Sequence, residues 1–422
     1  MNELHSHFAV KRASGSRRLK EAVVHCFAAS AGEAAEQLRR FSESDWRKIL
    51  LWLDISGIAL YLFDRLKDLD IEESVPRAVV DRFALNLERN RQRTATLLRD
   101  ACKVSRHFER DHVTYALFKG ITLTPDSVPD PSLRRQIDLD YLIDESDTDA
   151  AVCALRDLGY TLHATVGRTM EFRSGPTDMP GIDDLYRANL QKSLDLHRLP
   201  RQEGLSDCLT RAKTRLFAGA SLPALSSADL LVEQALHLLR HLCNEYTRVS
   251  WVLEFWRHLN TRGDDSEFWG EVQAIAAGEP LGDLAMLISV WLVSDFFGTI
   301  PNAVAERWPS DKIPAGALFW LRRYARELLL SDSFGSKLYL LLRRQLPNRP
   351  APKDVARLMI PLCLPARITR PAPGETLAAR MNRYWIEANY GWGRLRFHFF
   401  EGIRYGIEAM YWERRMPKVQ QR

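Results

Sequence analysis

Cysteine is scarce and scattered. The 422-residue chain has six, Cys26, Cys102, Cys153, Cys208, Cys243 and Cys363, and none forms a CxxC pair. That argues against a disulfide framework and against a zinc site built on thiolates, and it fits reduced thiols in a cytoplasmic protein. Long apolar runs are missing too. The longest candidate, LAMLISVWLVS from Leu284, stops at Asp295. A bilayer span needs ~20 residues, so the chain is not expected to be an integral membrane protein. The stretch EAVVHCFAASAGEAAE is broken by Glu21, His25 and Glu33 and makes a poor signal peptide. No GxxxxGK(S/T) loop and no Gly-rich kinase loop occur, which argues against a phosphate-transferring kinase. No internal repeat and no low-complexity tract is found.

The composition that remains is that of a globular protein, 46% hydrophobic and 27% charged. A single core rarely grows past ~250–300 residues, so more than one lobe is expected. The net charge of +5 conceals an asymmetry. From Arg343 onward there are sixteen Lys/Arg against six Asp/Glu, a net +10, which leaves about −5 on the rest. A basic tail on a mildly acidic body suggests an anionic partner for that tail: nucleic acid, a lipid surface or an acidic protein.

Hydrophobic periodicity divides the chain. Residues 1–109 read as a helical lobe. Ser42 or Ser44 is placed to cap SESDWRKILLWLDISGIALYLFDRL, and a long amphipathic helix follows from Val75. Residues 110–200 alternate differently: TYALF, IDLDYLI and SLDLH read as strands, TLHATV and TMEFRS as a hairpin, and DESDTDAAVCALRDLGY as a helix stopped at Gly159. That order predicts an α/β sandwich of modest size. Residues 201–346 return to helical periodicity. Residues 347–422 begin with seven prolines up to Pro373, read as a connector, and end in a basic, aromatic, helical tail.

The strand IDLDYLI poses the chemical question. Side chains alternate along a strand, so Asp138 and Asp140 stand on one face while Leu139 and Tyr141 take the other. Burying two neighbouring carboxylates costs several kcal/mol unless a cation offsets it. Mg²⁺, or Mn²⁺, suits such hard oxygen ligands. In SLDLH, Asp195 shares a face with Ser193 and His197. If the two strands are neighbours, three aspartates converge, and such a triad can hold two metal ions ~3.5–4 Å apart. Lys119-Gly120 ends the preceding strand; Gly lets the backbone approach a phosphate, and the lysine adds a charge. Arg134 and Arg135 are placed to clamp phosphate oxygens. The bland alternative is an edge strand whose aspartates face water.

FKG at Phe118–Gly120, RRQIDLDYLI from Arg134, LGY at 158–160 and DLH at Asp195–His197 occur in an order and spacing that resemble the DNA polymerase β-like nucleotidyltransferase superfamily. More narrowly, they resemble its uncharacterised bacterial members that pair an LKG turn with RxxxDIDLLV and a later DLHW. The helices around His237, His241 and Trp251 and the segment GSKLYLLLRR near Gly335 extend the similarity over roughly residues 40–345. The resemblance implies an α+β fold, a small mixed-sheet nucleotidyltransferase core between helical lobes. It implies Mg²⁺-dependent transfer of a nucleoside monophosphate from an NTP, ATP among them, to an acceptor, with release of pyrophosphate. Asp138, Asp140 and Asp195 would be catalytic and metal-binding, and Lys119, Gly120 and Arg134 would bind the nucleotide. The acceptor, whether RNA, protein, sugar or metabolite, is left open. Ile121, Ile137 and Arg198 depart from the superfamily's usual small residues and Trp. Ile121 and Ile137 keep a second reading alive, a catalytically inactive binding or scaffold protein on the same fold.

Two further patterns stay open. His237 and His241 sit four apart on one helical face, a spacing open to zinc or to simple packing. In the tail, ten aromatics from Tyr384 to Trp412 interleave with arginines. That composition suits single-stranded nucleic acid, an interfacial membrane helix, or a helix capping the protein's own core.

Overall fold

Ser42 does cap the helix that follows it. Its hydroxyl accepts from the Asp45 amide and the Asp45 carboxylate accepts from the Ser42 amide, a capping box. The structure, a computed structural model, describes residues 17–175, 185–187, 192–200, 208–331, 335–347, 355, 359 and 374–420. Cys363 and most of the proline-rich connector lie outside the described residues. The chain divides into two compact units, residues 1–236 with 249–308, and residues 237–248 with 309–422.

The first unit opens with helices α1 (Ala31–Arg39), α2 (Glu43–Ser56), α3 (Ala59–Asp68) and α4 (Arg77–Arg110). In the 34-residue α4, Val79, Phe83 and Leu87, then Leu97, Ala101, Val104 and Phe108, recur every three or four residues and are buried.

A seven-stranded mixed sheet follows, in the order β3-β4-β5-β2-β1-β7-β6. The strands are β1 (Tyr115–Leu117), β2 (Asp138–Asp144), β3 (Thr161–Val166), β4 (Thr169–Ser174), β5 (Lys192–Leu199), β6 (Lys213–Phe217) and β7 (Ala220–Ala224), with α5 (Thr148–Asp157) after β2. β2 lies between β5, parallel to it, and β1, antiparallel to it. The edge-strand alternative for IDLDYLI is therefore overturned.

β6 and β7 extend the sheet beyond the expected boundary at residue 200. KTRLF puts little apolar alternation on display, because its outer residues face water, and ASLPA contains Pro223. The turn between them uses Ala218 (φ +46°) and Gly219 (φ +89°). Alanine is a rare choice at such a position, so the hairpin signal is weak.

The two faces of the sheet differ. One carries Leu117, Leu139, Tyr141, Ile143, Phe172, Leu194 and Leu196, which pack with Phe108 and Val104 of α4 and Ala154 and Leu155 of α5. The other face of β2, β5 and β4 carries the acidic and polar residues. Helices α6 (Ser227–Leu242), α7 (Val249–Arg262), α8 (Ser266–Gly278), α9 (Gly282–Phe297) and α10 (Asn302–Arg307) come after the sheet. The apolar run LAMLISVWLVS lies in α9, which is buried on nearly all sides. No described helix is long and apolar enough to cross a membrane.

The second unit contains short helices at Ala315–Trp320, Arg326–Leu329 and Tyr339–Arg343, and one long helix, Leu377–Gln420.

Candidate active site

Parallel pairing sets the site. Asp140 lies opposite Asp195, and Asp138 opposite Ser193. Cross-strand partners point the same way, so the three aspartates share the polar face. β4 adds a fourth carboxylate, since Glu171 lies opposite Asp195. The alternation of Thr169, Glu171 and Arg173 in TMEFRS is the signal that could have found it.

Asp140 is the best compensated of the group. Its Oδ1 accepts from Lys119 Nζ at 3.1 Å and lies 3.0 Å from His197 Nε2. Burial pulls the Asp140 carboxyl upward, but Lys119 and His197 outweigh it and hold the group down at about 2. For Asp138 and Asp195 the nearby cations do not outweigh burial and the neighbouring carboxylates. Burial, then the charge of Asp140, raises Asp138. Burial, then Asp138, Asp140 and Glu171, pushes Asp195 up to about 7. A cluster of partly uncompensated oxygens, with no thiolate among them, fits a hard divalent cation.

Among the described residues, the one set of three metal-capable side chains comprises Asp140, Asp195 and His197, whose donor atoms all lie within 4.8 Å of one another. Asp138 flanks that set and is not part of it. His197 enters it from the neighbouring position on β5. Its Nδ1 is 3.1 Å from Thr169 Oγ1, and its ring meets Phe118 edge-on at 4.9 Å.

Lys119 and Gly120 form the turn after β1, and both have positive φ. Lys119 is at φ +60°, ψ −167°, a region nearly reserved for glycine that costs ~1–3 kcal/mol for other residues. The strain carries the ammonium onto Asp140 and over the Phe118 ring, 4.4 Å from its centroid. Gly120 serves a packing role: a Cβ there would meet the Gln136 side chain at 2.2 Å. That amide donates to the Asp138 carbonyl at 2.5 Å, and Arg93 Nε donates to the Gln136 carbonyl at 2.7 Å. Gln136 and Arg93 thus set the entry to β2, a role that no sequence motif marks.

Arg134 turns toward Glu254 of α7. Its Nε is 3.1 Å from Glu254 Oε1, which also accepts from the Tyr61 hydroxyl at 2.9 Å. Asn90 Nδ2 donates to the carbonyls of Ser132 and Arg134. Arg134 is therefore a braced, largely buried cation that still feels the charge of Asp138. The His237 and His241 rings lie 4.4 Å apart between centroids, tilted by 58°, and belong to no metal-capable set among the described residues. A cavity of about 700 Å³ beside α4, lined by Leu98, Cys102, Ser132 and Gly219 among others, touches none of the four carboxylates.

A family model described as an uncharacterised nucleotidyltransferase matches residues 42–298. No curated protein matches the sequence. Among solved structures, the chain is similar to one described as the solution structure of the antibiotic-resistance factor ANT(2'')-Ia. The identity is 10% and the TM-score 0.31, over 44% of this chain and 92% of that one.

Proposed function

The chain belongs to the uncharacterised nucleotidyltransferase family, and from that premise we propose that it transfers a nucleoside monophosphate from an NTP to an acceptor nucleophile with release of pyrophosphate. In the proposed step the acceptor oxygen forms a bond to the α-phosphorus. The bond from that phosphorus to the bridging oxygen of the β-phosphate breaks, and pyrophosphate leaves with the electron pair.

Asp138, Asp140 and Asp195 would hold a divalent cation, Mg²⁺ or Mn²⁺. Bound there, it would supply charge neutralisation for the triphosphate. The chain's own groups do the rest. Lys119 presents its ammonium from the strained turn to a phosphate oxygen. Gly120 keeps Gln136 seated against β2, and Arg134 adds a fixed positive charge near Asp138. Asp195, half-buried between Glu171 and Asp140, orients the acceptor hydroxyl and takes its proton at a carboxylate oxygen.

The observation that carries this reading is the register of β2 and β5. It sets Asp140 directly beside Asp195 with Asp138 adjacent on the same face. Incubation with α-labelled NTPs, Mg²⁺ and a cell extract tests it. Label should appear on an acceptor, and Asp138→Asn should abolish that labelling while the far-UV circular dichroism is retained. Calorimetry with each NTP plus Mg²⁺ separates this from the scaffold reading, which expects no metal-dependent nucleotide binding.

A further inference from the structure

The long helix Leu377–Gln420 is apolar on two opposite faces. One face is spoken for. Phe397, Tyr405, Trp412 and Met416 are buried. Glu401 accepts from the Ser336 hydroxyl at 2.6 Å, and Glu408 from the Tyr324 hydroxyl at 2.7 Å. These contacts lie within the second unit and fix the rotation of the helix about its axis.

The other face is bare. Met381, Trp385, Trp392, Phe399, Ile403 and Met410 recur at intervals of four and seven residues, so they form one stripe. Trp385 is 67% exposed, Trp392 61% and Phe399 61%. At 1.5 Å per residue the stripe runs ~44 Å. Tyr384 and Phe400, also exposed, widen it to roughly 160° of the helix circumference at 100° per residue. A soluble surface rarely carries an apolar patch of this size unless something covers it.

We propose that this face is a docking surface for an anionic lipid bilayer, with the helix lying in the interface and not passing through it. Breadth and composition choose this occupant over a second copy of the chain. A coiled-coil seam is a narrow line of branched aliphatic residues. This stripe is broad and dominated by Trp, Tyr, Phe and Met, the side chains that settle at a bilayer interface. Charge supports the same choice. Residues 343–422 carry a net +10. Arg383 and Arg394 are engaged with Glu375 and Glu245. Arg396 and Arg414 are exposed and lie eighteen residues apart, five turns, at one angle on this face, between Ile403 and Phe400 around the helix. Neither has an ion-pair partner among the described residues, and both are placed to meet lipid phosphates. Single-stranded nucleic acid is disfavoured, because a stacking groove needs a continuous positive track along the backbone, and these two arginines stand ~27 Å apart along the helix.

Flotation of the full chain with vesicles tests the proposal. Phosphatidylcholine vesicles with added phosphatidylglycerol should carry the protein, with the tryptophan emission shifted to the blue. Trp392→Glu/Phe399→Glu should weaken binding by roughly 100-fold while circular dichroism and NTP-dependent labelling stay unchanged. Arg396→Glu/Arg414→Glu should weaken it by roughly 10-fold or more on anionic vesicles and little on neutral ones. No flotation, or equal flotation of the Trp392→Glu/Phe399→Glu variant, overturns the proposal. So does light scattering that reports a dimer which the same variant converts to monomer, since a second copy then covers the stripe. Capture of RNA with no affinity for vesicles overturns it as well.

Discussion

Asp140 of β2 and Asp195 of β5 are register partners across a parallel strand pair, yet their carboxyls sit at opposite extremes. Asp140 is held at about 2 by Lys119 and His197 against the pull of burial, while burial and its acidic neighbours push Asp195 up to about 7. Asp195 therefore carries the repulsion of the site. Asp195→Asn should stabilise the metal-free protein above pH 7 by ~1 kcal/mol, after discounting a group that is partly open to solvent. It should also remove transfer activity, a trade of function for stability. Thermal unfolding should show that Mg²⁺ or Mn²⁺ raises the melting temperature of the native chain and leaves that of Asp195→Asn unmoved.

The strained turn can be weighed by comparing two substitutions. Lys119→Ala and Lys119→Gly both delete the ammonium and should lower kcat/KM for the NTP by roughly 10- to 100-fold. They should differ in stability. Glycine accepts φ +60°, ψ −167° without penalty, so the glycine variant should be more stable than the alanine variant by ~1 kcal/mol in urea. Equal unfolding midpoints would remove the claim of strain.

Gly120→Ala should act through Gln136. A new Cβ meets that side chain at 2.2 Å, so the amide must leave the Asp138 carbonyl. The expected cost is ~1–2 kcal/mol in stability, with a several-fold loss in kcat. Gln136→Ala in the Gly120→Ala background should restore part of the stability and none of the activity.

Arg134 and Glu254 form a buried pair with Tyr61. Arg134→Met leaves the Glu254 carboxylate uncompensated and should destabilise the protein by ~3–5 kcal/mol. Arg134→Met/Glu254→Gln should recover most of that loss in chemical denaturation. The double variant then offers a stable background in which to read the effect of Arg134 on the KM for the NTP.

Acid should unfold the protein partly through His258 of α7. The ring is buried, with Ser127 Oγ 3.2 Å from Nδ1, Ser227 Oγ 3.0 Å from Nε2, and Gln234 2.9 Å from Nδ1. Asp126, Arg262 and Arg215 are the charges around it. Burial, helped by the two arginines and opposed by Asp126, brings the imidazole down from 6.5 to about 3. The unfolded chain therefore takes up a proton below 6.5 that the folded chain refuses until about 3. Stability is full above 6.5 and falls as pH drops through that window, by on the order of a few kcal/mol. Asp126, held below its ordinary range as His258, Ser227, Arg262 and Arg215 outweigh burial, adds to the loss at the acid end. Urea midpoints measured from pH 7 to pH 4 should slope downward, and His258→Gln should flatten that slope.

Much of the fold is legible in local pattern. The spacing of Phe83, Leu87 and Leu97 foretells α4, Ser42 foretells its helix start, and alternation in IDLDYLI and SLDLH foretells β2 and β5. The same alternation puts Asp138 with Asp140, and Asp195 with His197. β6 and β7 escape because KTRLF and ASLPA show too little apolar alternation at the sheet edge. Gln136 and Arg93 escape because their work is done through backbone carbonyls, which leave no motif. In the tail, helical spacing sorts aromatics into faces, but Phe397 and Trp412 end up buried while Trp385 and Trp392 do not.

Which residues share a face was written in the order of amino acids, because strand and helix periods are properties of the backbone and hold before any packing occurs. Which strand lies beside β2, which carboxylate Lys119 reaches, that Arg134 turns to Glu254, and which side of the last helix meets the protein were settled by folding alone. Those outcomes depend on contacts between residues tens to hundreds of positions apart, where a single side chain has several possible partners and the densest burial selects among them.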